Sequence, residues 1–120
     1  MVDFRFEKLE IWKDSMEISD ILFDIADKAD SLKFFRFAEQ LRAATMSISN
    51  NIAEGSGSFS DNEFASFLNI SRRSVFECAN IIHIFLRRNI ISVNAKNEIY
   101  NSLLQLSKKL TNFRKTLKNK

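Results

Sequence analysis

A chain of 120 residues, 45% of them hydrophobic, is long enough for one domain with a real core. It has no proline and only two glycines, which argues against a turn-rich β-fold, and its single cysteine excludes an internal disulfide. No apolar run approaches the ~20 residues of a membrane span, and the N-terminus has no apolar signal core. We therefore expect a cytoplasmic protein without membrane contact.

The net charge of +3 hides a strong difference between the two halves of the chain. Residues 1–63 carry 13 acidic and 7 basic side chains, whereas residues 64–120 carry 2 and 11. This asymmetry indicates either an anionic partner for the second half or pairing between opposite halves of different subunits.

Hydrophobic periodicity predicts the first helix over about residues 8–29. Its apolar side chains cover a wide arc, and its acidic side chains occupy the remaining strip. The arc consists of Leu9, Ile11, Trp12, Met16, Ile18, Leu22, Phe23, Ile25 and Ala26, with Ile21 at its edge. So wide an arc indicates a central helix or one whose second face meets another subunit, and we favour the subunit.

The second helix is predicted over about residues 33–54, after a cap formed by Asp30 and Ser31. Gly55 is expected to end this helix in the left-handed conformation. Ser60 and Glu63 fit a capping box that opens the third helix, over about residues 61–88. The loop between them is short, so these two helices should be antiparallel neighbours.

The fourth helix is predicted over about residues 93–117 and has a narrow apolar seam. The seam consists of Ile99, Leu103, Leu106, Leu110, Phe113 and Leu117. Four amphipathic helices with short connections predict a single all-α domain, an up-down-up-down antiparallel four-helix bundle.

Polar side chains accompany the core stripes of the second and third helices. They are Gln40, Ser47, Asn51, Glu54, Ser74 and Glu77. Buried polar groups need hydrogen bonds, so we interpret the set as a polar seam that fixes the helix register. A ligand or metal site lined by Asn51, Glu54 and Glu77 is the alternative.

The sequence contains no pattern typical of catalysis or of cofactor binding. It has no glycine-rich phosphate loop, no nucleophile elbow and no Glu-x-x-His pair for a di-metal site. The single histidine, His83, lies among apolar residues, and Cys78 falls on the core stripe. We therefore expect no enzyme activity, no metal and no cofactor.

Arginines surround an aromatic side chain on the back of the third helix. Phe76 points away from the core, between Arg72 and Arg73, with Arg87 further along the same side. Such a group suits phosphate contacts and base stacking, and burial of Phe76 in a subunit interface is the alternative. The end of the fourth helix adds Lys108, Lys109, Arg114 and Lys115.

Several motifs together resemble one protein family over about residues 4–88. They are Phe6 and Leu9 to Lys13, Gln40-Leu41-Arg42, Ser47-Ile48, Asn51-Ile52-Ala53-Glu54-Gly55, Glu63-Phe64, Phe67-Leu68, Ser74 and Glu77. The family is that of the bacterial four-helix-bundle proteins named for intervening sequences of 23S ribosomal RNA genes. The chain departs from the family pattern at Ala43, Ser49, Ser58 and Arg73.

The resemblance implies a ring-like homopentamer of four-helix bundles that binds nucleic acid. It also implies a relation to the accessory variability determinant of diversity-generating retroelements, a basic pentamer that works with a reverse transcriptase and RNA. We expect a non-enzymatic oligomer that binds RNA or DNA through a basic surface. The alternative is a structural or adaptor oligomer that binds a protein partner, such as a reverse transcriptase, without contacting nucleic acid.

Overall fold

The computed structural model describes residues 3–118, which form four long helices after a short 3-10 turn at Arg5–Lys8. The helices are α1 (Glu10–Ser31), α2 (Phe35–Ser56), α3 (Asp61–Arg87) and α4 (Val93–Lys118). Over the described residues there is no β-strand. The expected all-α four-helix bundle is confirmed, and it measures 46 × 28 × 22 Å.

Consecutive helices are antiparallel neighbours. The Phe64 and Phe113 rings lie 5.5 Å apart near one end of the bundle, and the His83 and Tyr100 rings lie 6.5 Å apart towards the other. Among the helix pairs that are in contact, α2 and α3 share the most extensive contact and α1 and α4 the least. The bundle is therefore most open along the groove between its first and last helices.

The connection from α1 to α2 differs from the one predicted. Asp30 and Ser31 belong to the last turn of α1, so the prediction that they cap the second helix is wrong. Lys33 instead takes a left-handed conformation (φ 69°), and the Phe34 N–H donates to the Ala29 carbonyl at 2.8 Å. This hydrogen bond closes a Schellman motif, which turns the chain without a capping side chain.

Gly55 does not end α2. The helix continues through Gly55 to Ser56, and neither glycine has a positive φ, so the predicted left-handed conformation is wrong. A Cβ atom at position 55 would lie 2.7 Å from the Phe67 Cβ and 2.9 Å from the Phe64 Cδ1. Gly55 is therefore a packing residue that lets α2 and α3 approach closely.

The other two helix starts are capped by serine. The Ser60 Oγ accepts the Glu63 N–H at 3.1 Å, which is the serine half of the predicted capping box. Asn89 takes the left-handed position after α3 (φ 60°), and the Ser92 Oγ then accepts the Ala95 N–H at 3.1 Å. Ile90 and Ile91, which lie between Asn89 and Ser92, are buried and hold the turn against the core.

All four helices contribute buried side chains to the core, but only part of the apolar arc of α1 is buried. The fully buried residues of that arc are Ile11, Ile18, Leu22 and Ala26. Trp12, Met16 and Phe23 are half-buried, and Ile21 is 49% exposed. The outer part of the arc is thus left partly exposed in a single chain.

Candidate functional site

The polar seam is a small hydrogen-bonded network between α2 and α3. The Ser47 and Ser74 hydroxyls are 2.7 Å apart. The Asn51 amide donates to the Ser47 carbonyl at 2.7 Å and to its Oγ at 3.0 Å. One turn away, the Ser71 hydroxyl donates to the Ile48 carbonyl at 2.8 Å. The Ser47–Ser74 and Ser71–Ile48 bonds join α2 to α3 and favour one register of the pair, whereas the two Asn51 bonds lie within α2.

The remaining predicted members of the seam lie outside this network. Gln40, Glu54 and Glu77 are all exposed. Gln40 and Glu77 border a surface cleft between α2 and α3. Within residues 3–118 no group of three or more His, Cys, Asp or Glu side chains is placed to hold a metal ion. The hydrogen-bonded part of the seam therefore consists of Ser47, Asn51 and Ser74, with the Ser71–Ile48 bond beside it.

Two of the basic side chains predicted on α4 turn towards the rest of the bundle. The Lys109 Nζ lies 2.7 Å from the Asp14 Oδ2 and 2.9 Å from the Glu10 Oε1, so it ties α4 to α1. Its hydrogen bonds to Asp14 and then Glu10 raise the pKa of Lys109 to about 12. The Arg114 Nε–H donates to the Ala65 carbonyl of α3 at 3.3 Å. Both side chains therefore have partners within the chain.

Arg72 and Phe76 form a cation–π pair on the outer side of α3. The Arg72 guanidinium carbon lies 4.8 Å from the Phe76 ring centroid, and Phe76 is 54% exposed. The Arg72 Nε–H is buried and has no hydrogen-bond partner among the described residues. Arg73, Arg87, Lys108 and Lys115 are exposed and carry no ion pair within that part of the chain.

The antiparallel packing of α3 and α4 brings these residues onto one surface. Phe76 and Leu104 line the same cleft, and Lys108 and Lys115 follow Leu104 by four and eleven residues, so they share its side of α4. Arg87 follows Phe76 by eleven residues and shares its side of α3. Arg73 precedes Phe76 by three residues and is exposed, so it lies on the same outer side of α3.

Sequence reasoning missed two members of this surface. The Lys96 Nζ lies 4.3 Å from the Tyr100 ring centroid, and Tyr100 packs beside His83 of α3. The spacing of four between Lys96 and Tyr100 is the signal that could have found this pair. We call this surface the basic face; it consists of Arg72, Arg73, Phe76, Arg87, Lys96, Tyr100, Lys108 and Lys115.

Acidic side chains lie to either side of the basic face. Between residues 64 and 118 the chain has two, Glu77 and Glu98. Glu77 borders the cleft between α2 and α3, and Glu98 the cleft between α1 and α4. Asp61 and Glu63 lie in the first turn of α3, so the acidic side chains of α3 and α4 stand beside the basic face or at the start of α3.

The family of the chain follows from comparison with known proteins. A sequence model described as "23S rRNA-intervening sequence protein" matches residues 7–112. The chain belongs to this family. No curated protein matches it.

A solved structure supports the same fold. It is the crystal structure of a protein of unknown function from the S23 ribosomal protein family of Bacteroides thetaiotaomicron, which is 22% identical to this chain. The match covers 88% of this chain and 98% of that one, with a TM-score of 0.83. The two chains therefore share the arrangement of four helices.

Motif residues that indicated the family have packing roles in this structure. Arg42 binds Asp27 and Asp30 of α1, each at 2.6 Å, and these two hydrogen bonds raise its pKa. Ser47 belongs to the polar seam, and Gly55 allows the close approach of α2 and α3. The motif therefore specifies how the first three helices fit together.

Over residues 3–118 no helix combines the length and apolarity needed to cross a membrane.

Proposed function

We propose that the protein is a non-enzymatic nucleic-acid-binding protein that uses the basic face to bind RNA or DNA. One observation carries the proposal: the outer surface of α3 and α4 carries exposed cations beside two aromatic rings, and the acidic side chains of these helices lie at its sides or in the first turn of α3. An RNA ligand agrees with the family description, which refers to 23S rRNA, and with the assignment of the solved relative to a ribosomal protein family.

Electrostatic attraction supplies most of the affinity in this proposal. Arg72 and Arg87 are 15 residues apart on α3, which places them about 22 Å apart along the helix axis at about 1.5 Å per residue. A strand lying along the basic face can therefore offer several phosphates to its cations. Contacts of this kind carry little sequence information and weaken steeply as the salt concentration rises.

We also propose that the protein acts as a homo-oligomer, with five copies as the expected number. The partly exposed outer arc of α1, with Trp12, Met16, Phe23 and Ile21, supports this proposal, because a second copy would remove these apolar surfaces from water. Each added copy would contribute one more basic face. Light scattering tests the assembly, and a monomeric mass would contradict it.

A gel-shift titration with a structured RNA across a series of salt concentrations tests the binding proposal. The wild-type protein should bind at low salt and release the RNA as salt rises. The combined variant Arg72→Ala, Arg73→Ala and Arg87→Ala should bind more weakly at every salt concentration. No detectable binding at low salt, or equal binding by the variant, would overturn the proposal.

A further inference from the structure

The basic face contains a cleft of about 170 Å³ between α3 and α4. It is lined by Val75, Phe76, Ala79, Tyr100, Leu103, Leu104 and Ser107. Tyr100 and Ser107 supply the only polar side chains in this lining, and the Ser107 hydroxyl already donates to the Leu104 carbonyl at 2.9 Å. The cleft therefore suits an apolar surface and offers little to a charged group.

Cations surround this apolar cleft. Arg72 lies against the Phe76 ring, and Lys96 lies against the Tyr100 ring. Lys108 follows Leu104 by one turn of α4 and is exposed. The cleft thus combines two aromatic rings with a positively charged rim.

A nucleotide has the complementary construction, because its base has flat apolar faces and negatively charged phosphates stand on both sides of it. An apolar side chain from a protein would fit the cleft but would not account for the cationic rim. We propose that the cleft binds an unpaired base of a single-stranded nucleic acid while the rim holds the flanking phosphates. This inference rests on the proposed function and adds the ligand class, single strands rather than duplexes.

Arg72 gives the proposal a specific contact. Its Nε–H is buried without a hydrogen-bond partner, and an unsatisfied donor of this kind is costly. A phosphate next to a base in the cleft can accept this hydrogen bond if the guanidinium turns away from Phe76. The cation–π contact that is lost is a weak one at an exposed site, so losing it opposes the new hydrogen bond only slightly.

The proposal also predicts weak discrimination between bases. Every base has an aromatic face that can stack on a ring, whereas sequence readout needs polar groups aimed at the base edges. The cleft has few such groups. Bases inside a duplex are already stacked on their neighbours, so a duplex can use the cationic rim but not the cleft.

Fluorescence anisotropy with two labelled 12-nucleotide strands tests this inference. One strand is oligo-uridine, and the other is an abasic strand with the same backbone and charge. The wild-type protein should bind oligo-uridine about tenfold more tightly, as expected from the contribution of stacking. Phe76→Ala removes a ring from the cleft, and Ala79→Leu fills the cleft without changing the charge. Both variants should bind the two strands equally.

Ile70→Ala is the matched control, because Ile70 is also an exposed apolar residue of α3 (43%) but does not line the cleft. This variant should keep the preference for oligo-uridine. If the wild-type protein binds both strands equally, the inference fails and the proposed function remains. If it binds neither strand nor structured RNA at low salt, both fail. If Ala79→Leu changes the oligomeric state and leaves the preference intact, the cleft is an interface between copies and the inference is overturned.

Discussion

Gly55 of α2 and Phe67 of α3 lie so close together that a Cβ at position 55 would be 2.7 Å from the Phe67 Cβ. Gly55→Ala should therefore force the two helices apart. Overpacking costs about 1–3 kcal/mol, and the higher helix propensity of alanine offsets about 0.5–1 kcal/mol of it. We expect a net loss of about 1–2 kcal/mol in the free energy of unfolding, measured by urea denaturation.

Gly57→Ala is the control for this substitution. Gly57 has φ −88°, and a Cβ there would meet only the Glu54 carbonyl oxygen, at 3.4 Å. This variant should be unchanged or more stable by a few tenths of a kcal/mol, because alanine restricts the unfolded chain. Equal effects of the two substitutions would contradict the packing role of Gly55.

The Ser47–Ser74 hydrogen bond should appear as a coupling in a double-mutant cycle. Each serine-to-alanine change should lower the free energy of unfolding by about 1 kcal/mol. The loss in the double variant should be about 0.5–1 kcal/mol smaller than the sum of the two single losses. Urea denaturation of the four proteins measures this difference. Ser66→Ala is the control, because Ser66 is exposed and bonds only the Asn62 carbonyl of its own helix. Strict additivity would show that the seam does not join α2 to α3.

Cys78 should make the protein less stable at alkaline pH. Burial raises the pKa of the Cys78 thiol from 9.0 to about 12. The unfolded chain releases this proton above pH 9 and the folded chain keeps it, so stability falls as the pH rises from 9 towards 12. Between pH 8 and pH 10 this proton accounts for a loss of about 1.4 kcal/mol.

Urea denaturation of wild-type protein and Cys78→Ala at pH 8 and pH 10 checks this prediction. The variant should start less stable, because a buried side chain is shortened, and should then lose less stability over the interval. The stability that the raised pKa of Lys109 reflects is present below about pH 10.5 and is lost mainly above it, in both proteins alike, so it does not disturb the comparison. Parallel losses in the two proteins would contradict the account.

The periodic features of the sequence were sufficient to predict the fold. The apolar spacing from Ile99 to Leu117 predicted which side of α4 faces the core. In the structure these residues are buried, apart from the half-buried Phe113. The error at Gly55 has a different origin. Its small size is required by Phe67, which is twelve residues away in the sequence, and single-sequence reasoning cannot place that neighbour.

The candidate site was predicted less completely, for the same reason. The arginines and Phe76 share one side of α3 and are visible in its periodicity. The interpretation of the α4 cations required knowledge of which helix lies on each side of α4. Lys108 and Lys109 are adjacent in the sequence, yet Lys108 is exposed and Lys109 pairs with Asp14 on α1. A charge run alone does not separate them.

These two adjacent lysines provide the most direct test of the basic face. Lys108→Gln and Lys109→Gln remove the same charge from neighbouring positions. Lys108→Gln should weaken RNA binding and leave the melting temperature unchanged. The slope of log K against log salt is negative, and its magnitude should fall by about 0.7–0.9 per lost phosphate contact. Lys109→Gln should lower the melting temperature and leave the salt slope unchanged.

The salt dependence of RNA affinity, measured for wild-type protein and both variants in their native oligomeric state, therefore decides the central claim. We predict a reduced slope for Lys108→Gln alone. An unchanged slope for Lys108→Gln, or an equal reduction for Lys109→Gln, would contradict the assignment of RNA binding to the outer face of α3 and α4.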